Sequence, residues 1–347
     1  MKKHNRLSAM ILAYAAVFAV FTLWACELQE PGNPSAGSIM TFTAGNQSWK
    51  MAYVPGGHTF PRGTGDDETA IVANSFLIAE TEVTYQLWNA VRLWASSSAR
   101  GSNIYYFAND GAQGSGTATD QHPVTTINWR DAIVWCNALT EYCNYQNGTN
   151  LVPVYFHVNG TIRDSRDANS NICDNAGIKP TGTGFRLPST EEWEFAARWR
   201  NNSSNTVPGY SNPWFTRGNS ASGAITFYND AEDLYPANGI PDGQDTNHGL
   251  GVYGDYWDGD SWVATTTMGT AVVKSKGING ANSLGLYDMA GNVNEWCFDK
   301  YSQAASQRIL HGGNWDYTAF YLQTGVEMTS FPENEYNHYG LRIAMSQ

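Results

Sequence analysis

The residue types that could carry chemistry are thinly spread along this chain. Seven histidines (His4, His58, His122, His157, His248, His311 and His338) stand alone in sequence. The clustered His/His/carboxylate set of an iron centre is therefore not written locally. The stretch 238–260 is dense in Asp and Asn, the hard oxygen ligands that Ca2+ takes, but it lacks the regular spacing of an EF-hand. It reads better as a solvated acidic loop. The most concentrated feature is aromatic. Residues 314–339 hold Trp315, Tyr317, Phe320, Tyr321, Phe331, Tyr336 and Tyr339, with no Lys or Arg among them. Tyr gives rigid, amphipathic contact area at low entropy cost, and Thr318, Thr329, Ser330, Asn334 and Asn337 add adaptable hydrogen bonding. Alternation along terminal strands would bury Trp315 and Tyr339, but cannot bury Tyr317, Phe320 and Tyr321 together. An exposed aromatic cluster marks a binding site.

The rest of the chain must display that cluster. Its 347 residues, 42% of them hydrophobic, can bury a sizeable core, and 34 Gly with 13 Trp and 19 Tyr imply many turns and irregular packing. A net charge of −12 lacks the Lys/Arg footprint of a phosphate-backbone binder, so nucleic acid is excluded as a partner. Lys2, Lys3 and Arg6 precede an apolar run from Leu7 to Ala25, the pattern of a secretory signal over residues 1–25. Leu23 and Ala25 stand before Cys26 as in a bacterial lipoprotein processing box, which makes Cys26 the expected lipidated N-terminus. An uncleaved membrane anchor is the alternative. Either way the body lies outside the cytoplasm, and the expected place is the outer membrane or cell surface, held by lipid. Residues 26–46 read as a flexible tether and 47–347 as one domain.

Export permits disulfides, and Cys143–Cys173 is a pairing to consider, because both stand in polar, loop-like stretches. Cys136 and Cys297 lie in apolar surroundings and read as small core residues. Helical periodicity marks three segments. One spans about Thr84 to Ala95, with Leu87, Trp88, Val91 and Trp94 in phase. The second, 129–143, aligns Trp129, Ala132, Ile133, Cys136, Leu139 and Cys143 on one stripe. The third starts after Pro188, with Ser189 and Glu192 as a capping box. Long Gly/Asn/Asp-rich connections fill 101–122, 144–184 and 201–283.

Several blocks, in order, carry a specific resemblance: 51-MAYVPGGHTFPRG-63, 122-HPVTTINWRDAIVWCNALT-140, 184-GFRLPSTEEWEFAARW-199, 284-LGLYDMAGNVNEWCFD-299, 308-RILHGGNWD-316 and 340-GLRIAM-345. Together the chain resembles the formylglycine-generating-enzyme, or sulfatase-modifying-factor, family. That implies an α+β architecture, the C-type lectin fold with few helices on short twisted antiparallel strands and long irregular loops. The resemblance also implies a structural Ca2+ in 288-DMAGNVNE-295, held by the side chains of Asp288 and Glu295 and the carbonyls of Gly291 and Val293. Two carboxylates and two carbonyls are suitable hard ligands.

The copper-using enzymes of that family work through two cysteines after the Gly-Gly turn. Here Tyr317 and Leu322 stand at those positions, so no copper and no formylglycine chemistry are expected. Between 312-GGNW-315 and 340-GLR-342 the chain is similar instead to the variable proteins of diversity-generating retroelements. In that group adenine replacement in Asn codons changes the binding residues. By that rule Asp316, Tyr317, Thr318, Phe320, Tyr321, Thr329, Ser330, Phe331, Asn334, Tyr336, Asn337 and His338 are eligible, within a variable region of 314–339. Trp315, Glu327, Met328, Glu333 and Glu335 are not. The resulting expectation is a non-enzymatic, displayed lipoprotein that binds a protein or other macromolecule through this region. A fixed-specificity envelope adhesin or structural module, and an exported enzyme with a different centre, are the rival readings.

Overall fold

The hairpin that opens the fold is written in 39-IMTFTAGNQSWKMAYV-54. Ala44 faces Gln47 across the two-residue loop Gly45-Asn46, and Gly45 supplies the positive φ (+57°) such a loop needs. The strand Ile39–Ala44 corrects the expected tether of 26–46. Phe42 and Ala44 are buried, so the ordered domain begins inside that segment. The computed structural model describes residues 34–158, 160–225, 250–257, 261–265 and 269–347. The leader with Cys26, and most of the acidic stretch 238–260, lie outside them. Among the described residues no helix is long and apolar enough to cross a membrane.

Five antiparallel strands form the first sheet, in the order Ile39–Ala44, Gln47–Val54, Phe76–Ala79, Ala344–Ser346, Phe185–Arg186. The second runs Met328–Ser330, Arg308–His311, Asn294–Lys300, Tyr339–Gly340, its last pair parallel. Arg342 joins the two. It lies just beyond Tyr339–Gly340, bonds Glu295 of the second sheet, and donates to Ala79 O of the first at 2.9 Å.

The helices sit where periodicity and caps place them. Helix α1 is Tyr85–Ala95, with Thr84 Oγ1 accepting from Leu87 N. Helix α2 is Trp129–Asn147, opened by an Asn128/Asp131 capping box and ended by Gly148 in the left-handed region. A short α3, Ser170–Asp174, lies within the 144–184 connection, and α4 is Thr190–Arg198 with the expected Ser189/Glu192 box. Each such cap contributes about 1 kcal/mol.

Helix α2 differs from a single apolar stripe, because it is buried nearly all round. Trp135 stacks on Trp88 of α1 at 5.3 Å. On another side Asn137 Nδ2 donates to the carbonyls of Tyr155 and Ile162. The Cys143–Cys173 pairing is not made. Both residues are core, and Cys173 is a thiol whose Sγ donates to Asp164 O. The polar neighbours in sequence turn outward while the small sulfur side chains fill apolar space. Burial pushes the Cys173 thiol up to about 12, and raises Cys136 and Cys297 as well, which keeps all three protonated.

Candidate functional site

Gly312 and Gly313 (φ +95° and +71°) turn the chain out of the strand Arg308–His311. A Cβ at Gly313 would meet Tyr321 O at 2.7 Å, so the turn and the segment it faces are built against each other. Wholly buried Asn314 accepts Asp316 N on Oδ1 at 2.8 Å, and Trp315 N donates to Asn292 O. The four residues 312–315 thus work as a backbone frame that presents the residues from Asp316 onward.

A short 3-10 helix, Ala319–Leu322, comes next. With three residues per turn, Ala319 and Leu322 share one face and are buried, while Phe320 and Tyr321 point away from it and are half-buried. Phe320 meets Tyr321 at 5.3 Å, Tyr321 meets Tyr317 at 5.0 Å, and Tyr317 meets His338 at 5.1 Å. His338 stacks on Tyr336 at 5.4 Å and touches Tyr339, which packs edge-on against the core ring of Trp296. A continuous chain of rings therefore leads from the core to the surface. Burial raises the Tyr317 hydroxyl pKa, with Tyr339 and Tyr321 adding to it, so it remains a neutral hydrogen-bonding phenol.

Of the residues expected on the face, Asp316, Phe331, Tyr336 and Asn337 are exposed, and Tyr317, Thr318, Phe320, Tyr321, Thr329 and Asn334 are partly buried. Ser330 and His338 are corrections, since both are buried. Ser330 pairs with Arg308 in the sheet, and its hydroxyl accepts Asn334 Nδ2 at 3.0 Å. His338 is roofed by Tyr317 and Tyr336, and its Nδ1 is buried with no hydrogen-bond partner. Burial lowers its pKa, with Asp316 opposing more weakly, so the imidazole is neutral. Thr329 pairs with Ile309 in the second sheet, and no ring contact among the described residues includes Phe331. Trp315, expected in the core, is half-buried and donates Nε1 to Asn337 O at 3.3 Å.

Three neighbours of residues 316–337 escaped sequence reasoning because only tertiary folding brings them there. Ser115 Oγ accepts Asn337 Nδ2 at 3.2 Å. Gly254 N donates to Tyr317 O at 2.8 Å, and Asp255 bridges Thr318, which sets the strands Asp255–Trp257 and Trp262–Ala264 beside it.

Beneath the frame lie Asp288, Gly291, Val293 and Glu295. Both Glu295 oxygens accept from Arg342, at 2.6–3.0 Å, and Oε2 also takes Trp193 Nε1 at 2.6 Å. Asp288 accepts Lys274 N at 2.7 Å, and burial pushes its carboxyl up to about 6. Glu82 stands close by, bonded to Val293 N and Asn292 Nδ2. Burial, with Asp288 and Glu295 adding to it, raises its pKa well above the carboxylate range. Calcium on this set would have to draw Glu295 off its arginine, so the four residues do not fit the ion as they are arranged. At the copper positions, Tyr317 belongs to the ring chain. Leu322 is wholly buried in a small cluster with Tyr253 and Ala290.

This geometry has counterparts in known proteins. The sulfatase-modifying factor enzyme 1-like domain matches residues 37–347. The chain is 28% identical over 292 residues to the chaperone protein LppX of Paenibacillus barcinonensis, spanning 81% of this chain and 84% of that one. It is 28% identical over 182 residues to the Mus musculus protein named inactive C-alpha-formylglycine-generating enzyme 2, spanning 50% of this chain and 47% of that one. Among solved structures, the Treponema denticola variable protein 1 matches with a TM-score of 0.59 at 26% identity, over 89% of this chain and 99% of that one. The architecture is the α+β, C-type-lectin-like fold of the formylglycine-generating enzymes, and the resemblance is to its non-catalytic members. The chain belongs to the sulfatase-modifying factor enzyme 1-like family.

Proposed function

We propose that this protein is a lipid-anchored, surface-displayed binding protein without catalytic activity. Its ligand is a protein or other macromolecule, met by residues 314–339, and that region is diversified by a retroelement. The ring chain from Trp296 through Tyr339 and His338 to Tyr336, Tyr317, Tyr321 and Phe320 carries the reading. It gives rigid aromatic area anchored in the core, with exposed Asp316 and Glu335 as an acidic rim. Support comes from a division of labour. Of the residues outside the diversification rule, Glu327 and Glu333 pair with arginines, Met328 packs on the core, and Trp315 bonds Asn337. The likeness to a protein named variable protein 1 points the same way.

The test is genetic. The DNA downstream should carry a near-copy of the segment encoding 314–339 that differs mainly at adenines, beside a reverse-transcriptase gene. Sibling strains with no such repeat and an invariant 314–339 would sink diversification. A second reading, a fixed-specificity chaperone, is favoured by the likeness to LppX. It requires the same face to be constant.

A further inference from the structure

Two arginines from distant elements hold the ends of one short segment of the ligand face. Arg62, at the end of the strand His58–Arg62, reaches Glu327 with Nη2 at 2.5 Å. The same guanidinium bonds the buried Glu194 at 3.1 Å, which fixes it from behind. Arg130, in the first turn of α2 and only 7% exposed, reaches Glu333 with Nη2 at 3.2 Å, while Asp174 accepts from Nε and from the same Nη2 at 2.8 Å each. Between the two glutamates run the strand Met328–Ser330 and a turn in which Asn334 N donates to Phe331 O. Phe331 and Thr329 contribute to this segment through their backbones, in the turn and in the pairing with Ile309, and not through side-chain hydrogen bonds.

We propose that Glu327 and Glu333 are positioning residues for the ligand face. Paired to Arg62 and Arg130, and acting with the ladder to Arg308–His311, they fix the backbone from 328 to 332 to the framework, so that the side chains at 329 and 331 can be exchanged without moving it. This rests on the reading of 314–339 as a ligand face. The physical reason is that a preformed loop loses less entropy when it binds, and an arginine already held by a second carboxylate costs little more to order. Both glutamates lie beside the exchangeable positions and contribute through the frame, with no contact to ligand required of them.

The experiment uses the full chain. Thr329 and Phe331 are randomised in two displayed libraries, one with both native glutamates and one carrying Glu333→Gln, with lysozyme as bait. Amide hydrogen exchange is measured on purified native-sequence chain and on its Glu333→Gln and Glu327→Gln variants. Glu333 is half-exposed, so its variant keeps the partly buried Arg62 cluster and folds even if Glu327→Gln does not. The expected result is exchange about tenfold faster at 328–334, with the rest of the domain unchanged. Binder recovery should fall by a similar factor in the Glu333→Gln library. Equal exchange in variant and native chains overturns the proposal. So does faster exchange with equal recovery, which would make the pairs structural only. Faster exchange with no binders from either library leaves the pinning in place and removes the ligand-face reading instead.

Discussion

The rings of Tyr336 and Tyr339 meet edge to face at 4.9 Å, yet Tyr336 is 47% exposed and Tyr339 only 5%. Tyr336→Ala should therefore change stability by less than about 1 kcal/mol, while Tyr339→Ala should cost about 3–5 kcal/mol as a core deletion. Urea denaturation of the two variants measures the difference. Equal losses would place Tyr336 in the core and remove it from the face.

Arg342 and Glu295 are both wholly buried and joined at 2.6 Å. Arg342→Met strands the Glu295 carboxylate and leaves the carbonyls of Ala79 and Tyr287 without this donor. We expect a loss of about 3–5 kcal/mol, read as a lower urea midpoint at constant slope.

His311 stacks on Trp193 at 4.6 Å, donates Nδ1 to Val326 O, and has Nε2 2.7 Å from Thr190 Oγ1. Burial, helped by Arg62, drives its pKa from 6.5 down to about 3. Between those values the unfolded chain holds a proton that the folded chain refuses. Stability should be complete above pH 6.5 and fall as pH drops towards 3, by up to about 1.4 kcal/mol per unit. His311→Gln should flatten that slope in denaturant melts across the window, whatever it costs at neutral pH. An unchanged slope would mean that other groups govern acid unfolding.

Gly313→Ala meets both a left-handed φ of +71° and the carbonyl of Tyr321 at 2.7 Å. The expected cost is about 1–3 kcal/mol, with a displaced Phe320–Tyr321 turn seen as altered near-ultraviolet dichroism. A native spectrum at native stability would show that the frame yields cheaply there.

With Glu295 committed to Arg342, EDTA and millimolar Ca2+ should leave Tm unchanged. A rise in Tm with Ca2+ that Asp288→Asn abolishes would restore the calcium set of Asp288, Gly291, Val293 and Glu295.

Much of this was legible in sequence because the signals were local. Thr84 and the Ser189/Glu192 box mark helix starts through hydrogen bonds three residues long, and the periodic Leu87, Trp88 and Val91 mark an inward face. Gly45-Asn46 is equally local, yet its first strand reads as tether, since the Ser, Thr and Asn around it resemble a linker. Other features depend on distance. Nothing near Cys173 announces that Asp164 O will receive its thiol, and nothing near Ser330 announces Arg308. The Asn-codon rule sees which residue types can arise at a position but is blind to burial, which is why it admits Ser330 and His338 alongside exposed Tyr336.

The strand Ala344–Ser346 comes after residues 314–339 in sequence yet lies inside the first sheet, flanked by Phe76–Ala79 and Phe185–Arg186. A frameshift or premature stop anywhere in 314–339 thus removes an interior strand together with Arg342. The truncated chain has two open strand edges and a stranded buried carboxylate, and such a chain is a substrate for proteases. The fold in this way audits its own message, because only reading frames that pass 314–339 intact yield a protein that lasts.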